Sequence, residues 1–285
     1  SAWGGEDDET PVYGVVKIAI KAASGSTLTN ATKQNIITSL QPYNVASVRP
    51  EIVDPETTSL VLTINAKYDK KATAKTSDTL KSEITTAVSN YSTNTLSQFD
   101  GVFRYSKLTG LIDDVDNSIL SNITTVKMRK EFTPTLSSST KYDIYFRNAI
   151  YNPHSGHQAV VSSTGFKIAG NNNEMFLDDD GEGNIRLYYL VSGIKTVQNA
   201  TQGTIDYSTG QITINSLNVA SISNIRGATS TKIEITVTPS SNDIVPVRDQ
   251  ILEIDVSNSI INVSEDTFAG GSSEAGVGYT TTSSY

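Results

Sequence analysis

The stretch Leu60-Val-Leu-Thr-Ile-Asn-Ala-Lys-Tyr68, followed by Ser77-Asp-Thr-Leu-Lys-Ser-Glu-Ile-Thr-Thr-Ala-Val-Ser-Asn-Tyr91, places a strand pattern beside a helix pattern. Leu60, Leu62 and Ile64 recur with a period of two and share one face of a strand. Leu80, Ile84, Ala87, Val88 and Tyr91 recur at helical spacing, with Ser77 the predicted N-cap. Upstream, Val16, Ile18 and Ile20 alternate with Lys17, Ala19 and Lys21, the pattern of a half-buried strand. Thr29 is placed to cap a helix carrying Lys33, Ile36, Ile37 and Leu40, which Pro42 closes. Strands are predicted near Val45–Val53 and Leu60–Tyr68, joined around Asp54-Pro55-Glu56, and another near Val102–Leu108. The order β-α-β-β-α-β predicts a split βαβ, ferredoxin-like module with two helices on one antiparallel sheet. A further strand around Thr124–Phe132 is expected at its edge.

Beyond this the pattern changes. Thr133 to Thr140 reads as a linker. After it come short strands at Tyr142–Ile150, Ile185–Val191, Thr204–Tyr207, Gln211–Asn215, Lys232–Thr238 and Ile251–Val256. Gly203 to Asn215 reads as a hairpin with Ser208-Thr209-Gly210 in its turn. The expected fold class is therefore α+β: an α+β module over 1–132, a linker at 133–140, a β-rich sandwich or open barrel over 141–264, and a tail over 265–285. The Gly/Ser/Thr-rich tail is expected to be mobile unless a partner pins it.

Composition agrees. Among 285 residues, Ser and Thr make up 70, and charged residues only 18%. Short polar side chains compete for backbone hydrogen bonds and favour strands and turns over helices. The net charge of −8 disfavours nucleic acid and anionic membranes as partners. No apolar run approaches the roughly 20 residues of a membrane helix, and the acidic start lacks a signal-peptide pattern. The absence of cysteine removes disulfides, thiolate metal sites and cysteine nucleophiles.

A search for chemistry returns little. His154 and His157 lie in Asn152-Pro-His-Ser-Gly-His, a turn without a third ligand at a recognisable spacing, and are expected in a surface loop. Asp178, Asp180 and Glu182 are the weak candidates for a cation, since clustered hard oxygens on a turn suit calcium. In an EF-hand frame beginning at Asp178, however, the twelfth position is Tyr189 rather than a bidentate Glu. A solvated acidic turn is the competing reading, and it serves for Asp113-Asp114-Val115-Asp116 as well, beside a helix N-terminal role. The Asn-x-Thr triplets at Asn30, Asn122 and Asn199 are expected by chance in such a composition. No nucleophile elbow, phosphate loop or dinucleotide fingerprint is present. No catalytic residue, metal or cofactor is therefore predicted. The 13 tyrosines include Tyr142, Tyr145, Tyr151, Tyr188, Tyr189 and Tyr207 in the β-rich half. They suit sheet packing or an interaction surface.

The opening block is the most specific signal. Trp3, Gly4, Gly5, Glu6, Asp7, Pro11, Tyr13 and Gly14, running into Val15-Val-Lys-Ile-Ala-Ile-Lys21, resemble the signature at which the C-terminal half begins in baseplate wedge proteins. These belong to T-even-like, contractile-tailed bacteriophages, within the broader baseplate J-like group. Ile205-Asp-Tyr-Ser-Thr-Gly210 is similar to their later part. Gly4-Gly5 permits a tight turn, Pro11 stiffens the approach and Gly14 removes bulk at the strand start. The missing initial Met is expected of a fragment lacking the family's N-terminal half.

The resemblance implies a structural protein of the virion, made in the host cytoplasm, and not an enzyme. It implies homodimers within a dodecameric ring, with other baseplate wedge and hub proteins as partners and neither nucleic acid nor membrane. Such a ring holds together while the baseplate changes shape on sheath contraction. A glycan- or receptor-binding tail module is the alternative, predicting an exposed aromatic platform with Tyr188 or Tyr189. A carboxylate hydrolase would instead bring two acids together in a cleft. Interface residues are not legible, although the β-rich module is the expected contact surface.

Overall fold

The computed structural model describes residues 1–22, 28–44 and 48–267. The predicted mobile tail therefore falls almost wholly outside the described residues. The chain opens with β1 (Ala2–Gly4), β2 (Val15–Ala19), α1 (Asn30–Leu40) and β3 (Arg49–Val53). These form a sheet of their own, β1 antiparallel and β3 parallel to β2. Thr29 caps α1 as expected, accepting a hydrogen bond from the Thr32 amide at 3.2 Å. No residue of α1 is buried. Val15, Ala19, Pro50 and Ile52 are buried in this unit and lie outside the main core cluster.

The second unit begins with β4 (Glu56–Tyr68), α2 (Ser77–Tyr91), α3 (Tyr105–Asp113) and β5 (Ile119–Phe132). Leu60, Leu62 and Ile64 are fully buried on one face of β4, as their alternation predicts. Each stabilises the fold by about 2 kcal/mol through removal of apolar area from water. In α2, Leu80, Ile84, Val88 and Tyr91 are buried, and the cap is Thr76, one residue before the expected Ser77. β5 pairs with β4 along nearly its whole length and carries another strand on its far side. It is therefore internal rather than an edge.

Next come β6 (Ser139–Tyr145), β7 (Val161–Ser163), β8 (Phe166–Ile168), β9 (Met175–Asp179), β10 (Asn184–Val191), β11 (Ile194–Asp206) and β12 (Gln211–Ile222). The pairings β8–β9, β9–β10, β10–β11, β11–β12 and β12–β8 close a five-stranded antiparallel barrel. Closure removes the edges that an open sheet would expose, except where β11 runs beyond its pairing with β12, ahead of Gly203. Phe166, Leu177, Leu187, Ile214 and Val219 are among its buried side chains. The chain then returns through β13 (Ile233–Val237), β14 (Gln250–Ile254) and β15 (Ile260–Glu265). β13 joins β5 to β7, while β14 and β15 run parallel to β4, one after the other along one of its edges.

Three expectations need correction. The ferredoxin-like sheet does not form: β2 and β3 are adjacent in a separate sheet, while β4 takes its parallel partners from residues 250–265. The strand expected near Val102–Leu108 is instead the start of α3, because Leu108 and Ile112 bury one helical face against the sheet. Its first amide, that of Tyr105, is capped by Asp243 at 2.9 Å, 138 residues away. Finally, the boundary at 133–140 does not separate two cores. Ser139 and Thr140 already belong to β6, and one apolar cluster runs from Leu60 through the barrel to Ile261. Gln250 ties the parts further, its side-chain amide donating to Thr58 Oγ1 at 2.6 Å and to the Phe146 carbonyl at 3.1 Å.

Candidate interaction site

The opening motif folds over a cleft between the first sheet and the remainder of the chain. Trp3 pairs with Lys17 across β1 and β2, and its indole Nε1 donates to Asp8 Oδ1 at 2.7 Å. Lys17 forms an ion pair with the same carboxylate. Burial alone would push the Asp8 carboxyl up, but the hydrogen bonds from Lys17 and Trp3 outweigh it and hold it below the usual range. Gly5 is needed because a Cβ there would stand 2.4 Å from the Val12 carbonyl oxygen, where the loop closes on itself. Gly14, at φ 73°, turns the chain into β2 and accepts from the Arg49 amide at 2.9 Å. Glu6, Asp7, Pro11 and Tyr13 are exposed.

The cleft, about 320 Å³, is lined by Trp3, Glu9, Lys17, Tyr145, Arg147 and Asp249 among others. Glu9 Oε1 accepts from Arg147 Nε and Arg248 Nη1, each at 2.9 Å. Arg147 Nη1 continues to Asp249 at 2.5 Å, and Glu56 links this group to the buried Lys130 at 2.6 Å. Burial raises the Glu9 carboxyl, yet its own backbone hydrogen bond and the two guanidiniums bring it below the ordinary carboxylate range.

The cation candidates do not converge. Asp178 is buried and held by Arg186 through two hydrogen bonds at 3.0 and 2.7 Å, with Lys195 as a second cation. Asp180 accepts from the Glu182 and Asn184 amides and from Asn184 Nδ2, ordering the turn around Glu182. No group of three or more His, Asp or Glu placed to hold a metal occurs among the described residues. Between these acids, Asp179 had no signal of its own in the sequence. It is fully buried, accepts from the Val160 and Val161 amides at 2.7 and 2.8 Å, and receives the Tyr207 hydroxyl at 2.7 Å. Burial, with Asp179 beside it, pushes the Tyr207 phenol up. His154 is exposed as expected, but His157 is buried with its ring edge-on to Tyr207. Asp116 pairs with Lys75 at 2.7 Å and Asp113 accepts from Asn122, so this acidic run follows the end of α3 rather than opening a helix.

The tyrosines mostly pack. Tyr142 lies on Phe132, and Tyr188 stacks on Phe176 with the Lys195 ammonium 4.3 Å from its ring centre. Tyr188 and Tyr189 are both half-buried, so neither offers a free aromatic platform. The most exposed apolar feature of this half is instead the β10–β11 hairpin tip: Leu190, Val191, Ile194 and Val197 are all exposed, Ile194 at 70%. β11 meets β12 only from Gly203 onward, so its residues 195–201 pair on one side alone. By contrast, the Gly203–Asn215 hairpin forms as predicted, with Asp206 Oδ1 accepting from the Ser208 and Thr209 amides.

Comparison with known proteins places these features. Residues 1–53 match the model of the baseplate structural protein gp6, C-terminal domain I, and residues 59–131 match that of its C-terminal domain III. The baseplate wedge protein gp6 of Enterobacteria phage T4 is 26% identical over 169 residues, covering 56% of this chain. The chain is similar to the C-terminal portion of gp6-like baseplate wedge proteins. Its matched stretch spans 25% of the T4 protein's length. The first match of the gp6-like chain coincides with the β1–β3 sheet and α1, and the second with β4 through β5. The resemblance expected at Trp3 to Gly14 thus falls within the stretch matched by the domain I model. No helix among the described residues is long and apolar enough to cross a membrane.

Proposed function

We propose that the gp6-like chain is a non-enzymatic link of the tail baseplate, joining wedges into a ring around the hub through contacts between its own copies. Copies pair, the pairs close a dodecameric ring, and other wedge and hub proteins attach to it. Neither nucleic acid nor a membrane is a partner. The protein is made in the host cytoplasm, works in the virion, and accommodates the change of shape when the sheath contracts.

The observation that carries the homotypic part is the β10–β11 hairpin. It presents four exposed apolar side chains beside an unpaired strand edge. Such an edge is a ready docking template, and two copies related by a two-fold axis match each other's edge by construction. Lys195 is the one charged residue from Leu190 to Thr201, and its ammonium is drawn back to Asp178, which it shares with Arg186. Copies that each carry −8 charges therefore meet there with little local repulsion. This gives the β-rich stretch 141–264 its role as the contact module.

Light scattering across a wide concentration range tests the reading. A discrete dimer or ring-like oligomer is expected to grow in with concentration. A strict monomer at every concentration would contradict a homotypic contact through this hairpin.

A further inference from the structure

The joint between the first unit and the rest of the chain is polar. The buried Val15, Ala19 and Ile52 lie outside the main core cluster, and the chain crosses the joint once, through Asp54-Pro55. Among the described residues, two side-chain connections bridge it: Lys21 to Ser97, on the surface, and Glu9 to a pair of arginines. The second is built with more care. Arg147 and Arg248 come from distant segments, yet both donate to the same Glu9 oxygen. Both also hold left-handed backbone conformations, at φ 55° and φ 57°. Non-glycine residues occupy that region only where the surrounding structure imposes it, and such positions cluster where a contact is part of a mechanism.

The arginine side of the joint is rigid without Glu9. Asn148 Nδ2 donates to the Val245 carbonyl at 3.1 Å, and the Val245 amide returns a hydrogen bond to Asn148 Oδ1. Arg147 is anchored to Asp249 at 2.5 Å, and Glu56 stands 3.5 Å from it. Glu9, by contrast, sits on the loop between Gly5 and Gly14 and moves with the first sheet. Its side chain is 26% exposed, those of Arg147 and Arg248 13% and 24%. The contact is thus partly desolvated, which strengthens it, while solvent remains close enough to replace it.

We propose that Glu9 is a latch that closes the 1–53 unit onto the remainder of the chain through Arg147 and Arg248, with Asp54-Pro55 as the hinge. When the latch opens, the unit swings as one body and its own sheet stays intact. Released carboxylate and guanidinium groups are taken up by water, so opening leaves no buried charge at Glu9. Arg147 keeps Asp249. The inference concerns the isolated chain and does not rest on the assembly reading.

The chain supplies its own reporter, because Trp3 is its one tryptophan and lines the latched cleft. Glu9→Gln is expected to shift Trp3 emission to the red and to enlarge the radius of gyration in X-ray scattering, with an unchanged far-UV circular dichroism spectrum. Arg248→Ala, which leaves Arg147 seated on Asp249, should move both readouts in the same direction by less. Glu6→Gln, an exposed acid of the same loop, should leave both where they are. Wild-type emission and radius in Glu9→Gln would overturn the latch. Should that variant lose its far-UV signal, Arg248→Ala decides on the same two readouts. Neither result alters what light scattering says about self-association.

Discussion

Asp255 shows how much one carboxylate holds together. It lies between β14 and β15 and receives Asn258 Nδ2, the Ser257 hydroxyl and the Arg129 guanidinium. Arg129 comes from β5, so the group pins the returning C-terminal strands to the middle of the sheet. Burial alone would raise the Asp255 carboxyl. The hydrogen bonds from Ser257 and Asn258, with Arg129 beside them, bring it to about 2 instead, from 3.8. A carboxyl whose folded value is depressed stabilises the fold fully above its unfolded value, and that stabilisation fades as pH falls toward the folded one. Wild type should therefore lose stability between about pH 4 and pH 2 through this group. Asp255→Asn is expected to cost on the order of 1 kcal/mol at pH 7, allowing for solvent screening, and to flatten that part of the acid limb. Urea unfolding at a series of pH values measures both.

At the scale of elements, the structure divides by how local the deciding information is. β4 and α2 are legible because their apolar periods run for many residues, and the burial of Leu60 through Ile64 and of Leu80 through Tyr91 follows them. α3 was hidden. Leu108 and Ile112 alone do not separate a helix from a strand, and its cap is supplied by Asp243 from a distant loop. Asp243→Ala removes that cap and the Arg104 ion pair, and should lower stability by about 1 kcal/mol, seen as a lower urea midpoint with an unchanged slope. β7 and β8 have three residues each, too few to show an alternation. The candidate site divides in the same way. Trp3 to Gly14 was legible as a motif, but not the seat that Arg147 and Arg248 make for Glu9, since those residues meet only through the fold. Asp179 was lost inside an acidic run whose neighbours each found a different partner.

For the whole molecule, sheet order is what local patterns could not provide. The expected β-α-β-β-α-β order holds from β2 through α2, with β1 unforeseen ahead of it and a helix in place of the last strand, yet β2 and β3 form one sheet, and β4 takes its parallel partners from roughly two hundred residues downstream. Parallel pairing of β14 and β15 with β4 encloses the barrel between two halves of one sheet, so the barrel is an insertion rather than a following domain. A rigid body of that kind suits a structural link: it carries the hairpin at one place and the latched first unit at another. Because the chain has no cysteine, the proposed homotypic contact can be read from a single added one. Gln198→Cys lies at the middle of the unpaired 195–201 edge and is exposed, so a two-fold antiparallel pairing of β11 edges sets the two copies of it opposite each other, within disulfide reach. The account predicts that mild oxidation converts Gln198→Cys to a covalent dimer, while Ser39→Cys, on the exposed face of α1, stays monomeric under the same conditions. Equal cross-linking at the two positions, or none at Gln198, would contradict it.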